Sequence, residues 1–283
     1  MTYPLLATCW TSAGDAAPQR GDERSPLSLR GRIETAASAG WSGFGLVHAD
    51  LAAFREQHSL SELHSILRDN GMRYVELEFL GDWWMTGARR EASDRIRADL
   101  LEAAEELGAL TVKVAAAMDS EPEPEVFLAE LNRLATEAAA RGTRVALEPM
   151  PFSTNVRTLD DGVRILEALG NPSAGLCVDI WHVFRSGTDY ARVAELKAEQ
   201  VFVVELDDGA AQPEGTLWDD TVDRRRYPGR GDFGVEGFIE AVLSTGFSGP
   251  WGVEIISDEH RALPIGESLP RLAAEVQACF PEA

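Results

Sequence analysis

Apolar and polar positions follow a repeated phrase along this chain. An amphipathic segment leads to a small residue and a glycine, and an apolar run follows two or three residues later, as in residues 141–148. Continuous apolar runs of this length are typical of strands buried on both faces of a parallel sheet. Together with the opening run 5–10 and the later run 201–205, the repeats predict eight strands.

The segments between these runs carry the periodicity of helices. Apolar residues recur every three or four positions in 89–108, 126–141 and 234–246. Eight strand–helix units in 283 residues predict an α/β fold, a (β/α)₈ TIM barrel that forms a single domain over residues 1–283. A doubly wound open sheet is the alternative, but no Gly-x-Gly-x-x-Gly motif follows the first strand.

Three of the predicted strand-to-helix connections are long, at residues 11–27, 80–90 and 206–233. In a barrel these connections lie at the carboxyl ends of the strands, where the active sites of such barrels are found. The helix-to-strand turns are short by comparison. The chain therefore predicts a functional site at the carboxyl face of the barrel.

Four successive apolar runs each end on one carboxylate, at Glu148, Asp179, Glu205 and Glu254. These residues fall at the ends of predicted strands five to eight, so a closed barrel would direct them to a common centre. Clustered carboxylates repel one another unless a cation neutralises them or some of them take up protons. We therefore predict one divalent metal bound by all four. Oxygen ligands favour Mn²⁺ or Mg²⁺, with Co²⁺ and Zn²⁺ as alternatives. Salt bridges to a basic residue such as Lys113 are the other interpretation of each carboxylate.

Two histidines follow predicted strands. His182, three residues after Asp179, is either an acid or base at the barrel mouth, or a cap of the following helix. His48, at the end of the second strand, has the same two interpretations and is a candidate substrate ligand.

Further candidates for substrate binding lie on the first, third and fourth strands and on the second long loop. Glu76 and Glu78 alternate with apolar residues, so either could bind a sugar hydroxyl or pair with Lys113, and we favour the pair for Glu76. Trp10 and Trp83 could form an apolar wall against a sugar ring, although packing explains each of them equally well. We predict Glu78, Lys113, Trp10 and Trp83 as substrate-binding residues.

Composition narrows the class of protein. The net charge of −21 argues against a nucleic acid as partner, because phosphate binding requires a basic surface. The three cysteines are widely separated, which fits a reducing compartment. The first residues show no signal-type segment, and no run approaches the ~18 apolar residues of a membrane span. We expect a cytoplasmic protein without membrane partners.

With these residues in place, the chain resembles the xylose-isomerase-like superfamily of metal-dependent barrels. Its sugar phosphate isomerase/epimerase group, with the inosose isomerases and dehydratases and the ketose 3-epimerases, is the most similar. The resemblance is most specific in residues 147–149, 178–182, 226–233 and 249–254. It implies that Glu148, Asp179 and Glu254 are metal ligands. Family members usually carry histidine or glutamine where this chain has Glu205.

The resemblance also implies a reaction, namely proton transfer next to a carbonyl through a metal-stabilised enediolate. Glu148 and Glu254 would be the acid and base, with His182 beside them, and Arg226 would bind a carbohydrate substrate. The expected activity is that of an isomerase or epimerase of a sugar, keto-sugar or inositol derivative, in a homodimer or homotetramer. The alternatives are a lyase, which dehydrates a keto-inositol or cleaves an oxidised glycoside, and a non-catalytic sugar- or partner-binding barrel. The arginine run 224–226 could bind a phosphate or form a solvated loop face.

Overall fold

The computed structural model describes residues 2–281, and its centre is a closed barrel of eight parallel strands in sequence order. The predicted (β/α)₈ TIM barrel is thereby confirmed. The strands β1 to β8 are Leu5–Ala7, Gly43–Val47, Tyr74–Leu80, Thr111–Ala115, Arg144–Glu148, Ala174–Asp179, Val201–Leu206 and Trp251–Val253. The first and last strands close the ring, since Leu5 pairs with Trp251 and Ala7 with Val253.

Within residues 2–281, twelve helices surround the barrel. They are α1 Leu29–Ser38, α2 His48–Arg55, α3 Leu60–Asp69, α4 Gly87–Leu107, α5 Pro124–Ala140, α6 Leu159–Leu169, α7 Ile180–Arg185, α8 Tyr190–Ala194, α9 Leu217–Asp223, α10 Val235–Ser244, α11 Asp258–Arg261 and α12 Ile265–Ala278. The three helices predicted from periodicity are α4, α5 and α10. Gly108 and Gly170 end α4 and α6 in the left-handed conformation, which glycine adopts without steric cost.

The first strand is shorter than the predicted run 5–10. It ends at Ala7, and Trp10–Ser12 forms a 3₁₀ turn. The buried guanidinium of Arg32 explains the departure, because it donates hydrogen bonds to the Cys9 carbonyl at 2.8 Å and to the Ser12 hydroxyl. These bonds hold the backbone of the turn away from the sheet.

The main hydrophobic core fills the space between the barrel and its helices. A second apolar cluster, which we call the mouth cluster, lies at the carboxyl ends of the strands. Its members come from the β1 loop, β2, α9 and the segment after β8, and they are Cys9, Trp10, Ala13, Ala16, Ala17, Val47, Val222 and Ile256, with Ala49 and Trp218 packed against them. Among the helices of residues 2–281, none combines the length and the apolar character that crossing a membrane would require.

Candidate functional site

The four predicted carboxylates meet at the carboxyl face of the barrel. Glu148 and Asp179 are the last residues of β5 and β6, and Glu205 pairs in register with Asp179. Glu254 directly follows β8, where its N–H donates to the Leu206 carbonyl at 3.1 Å. All four side chains are at most 5% exposed. Their common location follows from the parallel closed sheet, in which every strand end lies on one face.

Asp179 has a second, structural task. Its Oδ1 accepts the N–H of Trp181 at 2.6 Å, so the side chain caps the N-terminus of α7. The cap fixes the carboxylate and leaves Oδ2 directed toward the centre of the site.

Lys113 of β4 is buried among these carboxylates. Its Nζ lies 2.6 Å from Glu205 Oε1, 2.9 Å from Glu78 Oε2 and 3.2 Å from Glu254 Oε1. The predicted pair of Glu76 with Lys113 was therefore wrong, and Glu78 takes that place. The reason is a register irregularity between β3 and β4 over Leu77–Leu80, which a sequence pattern does not reveal.

Glu76 is left without that partner. The side chain is 3% exposed, and within the described part of the chain no group donates to its Oε2. Burial raises the pKa of Glu76 to about 8, although Lys113 acts in the opposite direction. Glu76 is thus a protonated carboxylic acid at neutral pH.

Arg225 is the second buried cation of the site. Its Nη1 lies 2.7 Å from Asp179 Oδ2 and 3.2 Å from Glu254 Oε2, and it also contacts Asp207. The Thr221 carbonyl and hydroxyl accept the remaining hydrogen bonds of the guanidinium. Arg225 therefore fastens α9 to the carboxylate cluster.

The predicted substrate ligand Arg226 lies elsewhere. Its guanidinium is 40% exposed and pairs with Glu214 at 2.7 Å, outside the cavity of the site. The reason is that Arg226 forms an antiparallel bridge with Asp208, and successive side chains of an extended segment point in opposite directions. Arg225, not Arg226, is therefore the arginine that reaches the site.

The Asp208 side chain organises the loop that carries these arginines. Its two oxygens accept the N–H groups of Gly209, Gly229, Gly231 and Phe233 at 2.8–3.1 Å. A Cβ at Gly231 would lie 2.3 Å from Asp208 Oδ1, so only glycine allows this close approach.

His182 lies on α7 with its ring against the carboxylates. Nε2 is 3.4 Å from Glu148 Oε1 and 3.8 Å from Asp179 Oδ2. Nδ1 is buried, and among residues 2–281 it has no hydrogen-bond partner. Of the two predicted roles, the geometry supports a place in the site over capping of the helix.

Burial and neighbouring charges separate the pKa values of the cluster. Burial raises the pKa of Glu205 and Glu254, and their mutual repulsion adds to the effect on Glu205. Burial would also raise the pKa of Glu148, but the charges of Lys113 and of His182 lower it to about 2. The carboxylates of the site are therefore not equivalent.

The donor set fits a divalent cation. Each predicted ligand belongs to a group of three residues whose donor atoms lie within 4.8 Å of one another. The first group is Glu148, Asp179 and His182, and the second is Glu148, Cys177 and Glu205. The third group is Asp179, Glu205 and Glu254. Five buried carboxyl groups contact the two buried cations Lys113 and Arg225, and Glu148 lies beside them. Acidic side chains therefore outnumber basic ones in the cluster, and His182 Nδ1 is an unused buried donor or acceptor.

A cavity of about 240 Å³ opens above this cluster. Of the predicted substrate-binding residues, Trp10, His48, Glu78 and Lys113 line it. His48 Nε2 lies 2.9 Å from Asp99 Oδ2, so this ring is oriented by a carboxylate. The cavity volume is just below the ~300–1,000 Å³ typical of small-molecule sites.

Trp83 does not line the cavity. Its ring packs against Phe127, with centroids 4.4 Å apart, and against Trp84. The indole N–H donates to the Ala115 carbonyl at 3.1 Å. The structure therefore supports packing for Trp83, the alternative to the predicted apolar wall.

Several residues of the site could not be, or were not, predicted from the sequence. Cys177 lies below the carboxylates, with Sγ 3.2 Å from Glu205 Oε2, and its position two residues before Asp179 was a usable signal. Asp207 and Arg225 have no such signal, because neighbouring aspartates and arginines look equivalent in the sequence. Phe152 and Trp218 also reach the cavity, from loops whose paths the sequence does not fix.

Comparisons with known proteins agree with this geometry. The 3-dehydroshikimate dehydratase of Pseudomonas aeruginosa is 28% identical over 246 residues, which is 84% of this chain. The chain spans only 37% of the length of that dehydratase. The inosose isomerase of Halalkalibacterium halodurans is 24% identical over 229 residues, or 77% of this chain and 79% of that protein. Both relatives are enzymes.

A solved structure has the same fold over almost the whole chain. The IOLI protein, described with a binding zinc atom, superposes with a TM-score of 0.82 at 19% identity, over 99% of this chain and 98% of that one. The model of the family described as "Xylose isomerase-like TIM barrel" matches residues 33–275. The eight-stranded barrel, its carboxylate-rich mouth and this match lead to one conclusion, that the chain belongs to the xylose isomerase-like TIM barrel family.

Proposed function

We propose that this protein is a divalent-metal-dependent isomerase or epimerase that moves a proton next to the carbonyl of a sugar, keto-sugar or inositol derivative. The observation that carries the proposal is the convergence of Glu148, Asp179, Glu205 and Glu254 below one cavity. The similarity to an inosose isomerase over most of both chains supports it.

The four carboxylates are the residues that would hold the metal. Each carboxylate has about four lone-pair sites, so Asp179 and Glu254 can bind a cation and still accept from Arg225. Oxygen ligands suit Mn²⁺ or Mg²⁺, whereas participation of His182 would suit Co²⁺ or Zn²⁺. The metal, when bound, would supply Lewis acidity to a carbonyl oxygen and its neighbouring hydroxyl.

The protein supplies the proton transfers. Glu148 and Glu254 both line the cavity, at strands β5 and β8, so they reach a substrate between them from two directions. One carboxylate would remove the proton from carbon and the other would return it. Lys113 and Arg225 fix the orientation of Glu254 by contacting one oxygen each, while His182 is placed to bond a substrate hydroxyl.

A lyase is the second candidate. The similarity to a 3-dehydroshikimate dehydratase over 84% of this chain favours it. The same proton removal would then be followed by loss of a group from the neighbouring carbon, with His182 as the acid that protonates the leaving oxygen. The two candidates differ in the product, because an isomerase conserves the mass of its substrate.

The test is proton exchange in D₂O. The protein, loaded with Mn²⁺, Mg²⁺, Co²⁺ or Zn²⁺, is incubated with keto-inositols, keto-sugars and 3-dehydroshikimate, and NMR and mass spectrometry follow deuterium and mass. We expect deuterium next to a carbonyl in a product that has lost no group, so that only the deuterium changes its mass, whereas loss of water or an aglycone would establish the lyase. Glu148→Gln and Glu254→Gln should each lower exchange at least about 100-fold, and the exposed Glu91→Gln is the matched control. Full turnover in both site variants, or saturable binding without exchange, would contradict the proposal.

A further inference from the structure

The cavity has two zones of different chemistry. Its floor holds the charged groups, with Glu148, Glu254, Lys113 and Arg225 among them. Its outer wall, which we define as Trp10, Met118, Phe152, Trp218 and Ile256, is apolar. Trp10 and Ile256 belong to the mouth cluster, and Trp218 packs against it.

Within residues 2–281, the floor has no free cationic side chain for an anionic ligand, and the proposed metal would be held by the carboxylates. Lys113 and Arg225 are the lysine and arginine that line the cavity in residues 2–281, and each contacts three carboxylates. Arg224 and Arg226 form exposed ion pairs with Asp258 and Glu214 and do not line the cavity. A phosphate or carboxylate on the substituent would therefore meet a floor lined by carboxyl groups without a free lysine or arginine to pair with.

The outer wall presents aromatic surface. Trp218 and Phe152 are half-buried and meet edge to face, with ring centroids 5.6 Å apart, and Met118 is 36% exposed at the rim. When an apolar group of a ligand covers such solvent-exposed aromatic surface, the free energy of binding becomes more favourable.

Uncharged hydrogen-bonding side chains are scarce along the same wall. Apart from the two histidines and the indole N–H groups of Trp10 and Trp218, Thr221 and Gln19 are the neutral polar groups that line the cavity within the described chain. A sugar without an apolar substituent would direct hydroxyls against this wall, and a buried hydroxyl without a hydrogen-bond partner is unfavourable. The wall is therefore unsuited to a ligand that is hydroxylated on all sides.

We infer that the substrate is uncharged and amphipathic, with a polyhydroxylated ring on the floor and an apolar, preferably aromatic, substituent against the outer wall. A glycoside with an aryl aglycone has this chemistry. The inference rests on the proposed function for the ring that reacts, and it adds the substituent and the absence of an anionic group.

The test measures binding to the Mn²⁺-loaded full chain by isothermal titration calorimetry. The probes are methyl β-D-glucopyranoside, phenyl β-D-glucopyranoside and glucose 6-phosphate. We expect the phenyl glucoside to bind at least about tenfold more tightly than the methyl glucoside, because burial of a phenyl-sized group contributes that factor or more. Glucose 6-phosphate should bind most weakly of the three.

Variants of the outer wall test whether it is the surface that binds the phenyl group. Trp218→Ala should remove the preference for the phenyl glucoside, measured as the ratio of its affinity to that of the methyl glucoside. Met118→Ser, at an exposed position that the fold does not depend on, should reduce the preference in the same direction. Val126→Ala, at an exposed apolar residue of α5 away from the cavity, is the control and should change neither affinity.

Equal affinities for the two glucosides, no binding of the phenyl glucoside, or tightest binding of glucose 6-phosphate would overturn the inference. Failure of the proposed function is separately visible, since it would appear as absent metal uptake and absent deuterium exchange with every carbonyl compound. A protein that exchanges protons in 3-dehydroshikimate but ignores aryl glycosides would keep the function and lose the inference.

Discussion

The ammonium nitrogen of Lys113 lies 2.6 Å from Glu205 Oε1, and both groups are buried inside the barrel. Removal of the cation would leave Glu205 and Glu78 without a cationic partner and Glu254 with Arg225 alone. We expect Lys113→Met to lower the free energy of unfolding by about 3–5 kcal/mol without added metal. Urea unfolding at pH 7 measures the loss.

The matched control is Arg89→Met. Arg89 also contacts two carboxylates, Asp82 and Asp119, but its side chain is 43% exposed. Its loss should change the free energy of unfolding by no more than about 1 kcal/mol. Equal effects of the two substitutions would show that burial does not determine the strength of the Lys113 contacts.

Neighbouring arginines should differ sharply in their effect. Arg225→Met removes the partner of Asp179 and Asp207, and we expect it to cost about 3–5 kcal/mol of stability. Arg226→Met removes an exposed pair with Glu214 and should cost at most about 1 kcal/mol. Thermal and urea unfolding of the two variants provide the comparison, and a larger loss for Arg226→Met would contradict the assignment of Arg225 to the site.

Metal content tests the carboxylate cluster directly. After chelation and reloading with Mn²⁺ or Mg²⁺, elemental analysis should find about one ion per chain. Asp179→Asn should weaken binding at least about 100-fold, because even changes around metal ligands cost 10–100-fold. Asparagine still caps α7, so the variant should remain folded.

Glu91→Gln is the control for metal content, since Glu91 is exposed and far from the strand ends in sequence. If the protein takes up zinc alone and His182→Ala abolishes this uptake, then His182 is a metal ligand and the ligands are not all carboxylates. No uptake of any metal would reduce the four carboxylates to an ion-pair network with Lys113 and Arg225.

Removal of the metal should also lower thermal stability. At a metal concentration 100 times the Kd, binding to the folded state contributes about 2.7 kcal/mol. For a chain of 283 residues the loss corresponds to a decrease in Tm of roughly 5 °C. Scanning calorimetry with EDTA and with Mn²⁺ measures the difference, and Asp179→Asn should show none. A Tm that chelation does not change would contradict binding in the folded state.

The buried acid Glu76 should make stability depend on pH. Burial raises its pKa to about 8 in the folded chain, against 4.5 as the ordinary value. Between these values the folded state binds a proton that the unfolded state has released. The free energy of unfolding therefore decreases as pH rises from about 4.5 to 8, by up to about 1.4 kcal/mol per pH unit.

Glu76→Gln removes this ionisable group, so the folded and unfolded states no longer differ in the proton bound at position 76. We expect the variant to be a few kcal/mol more stable than the parent at pH 8 and nearly equal at pH 5. Urea unfolding at pH 5, 6.5 and 8 measures the slope, and Glu91→Gln should retain the parent's slope. A variant less stable at pH 8 would mean that Glu76 is ionised in the folded chain.

Most of the fold could be predicted from the sequence. A strand buried on both faces is continuously apolar, and a helix that covers the barrel repeats every three or four residues, so both signals are local. The end of β1 could not be predicted, because Arg32 binds the backbone at Cys9 from a distant helix. The two helices α2 and α3 between β2 and β3 were also not distinguished.

The residues of the site also fall into those that local sequence predicts and those that depend on distant contacts. Glu148, Asp179, Glu205 and Glu254 could be placed together because their positions depend only on strand ends in a parallel barrel. The ion pairs could not be predicted, because they depend on register. One irregularity between β3 and β4 assigns Lys113 to Glu78, and one bridge at Asp208 turns Arg225 inward.

The Asp208 carboxylate, which accepts four N–H groups of its loop, separates two parts of that loop. The Asp208–Arg226 bridge and the turn at Gly229 and Gly231 are bound to Asp208, just after β7. Residues 211–216 are exposed to solvent. Insertions between Gln212 and Pro213 can therefore lengthen the rim of the barrel without moving Arg225. The loop thus combines a base that side-chain hydrogen bonds hold in place with an exposed tip, and it offers a place where grafted segments can change the rim above the carboxylate cluster.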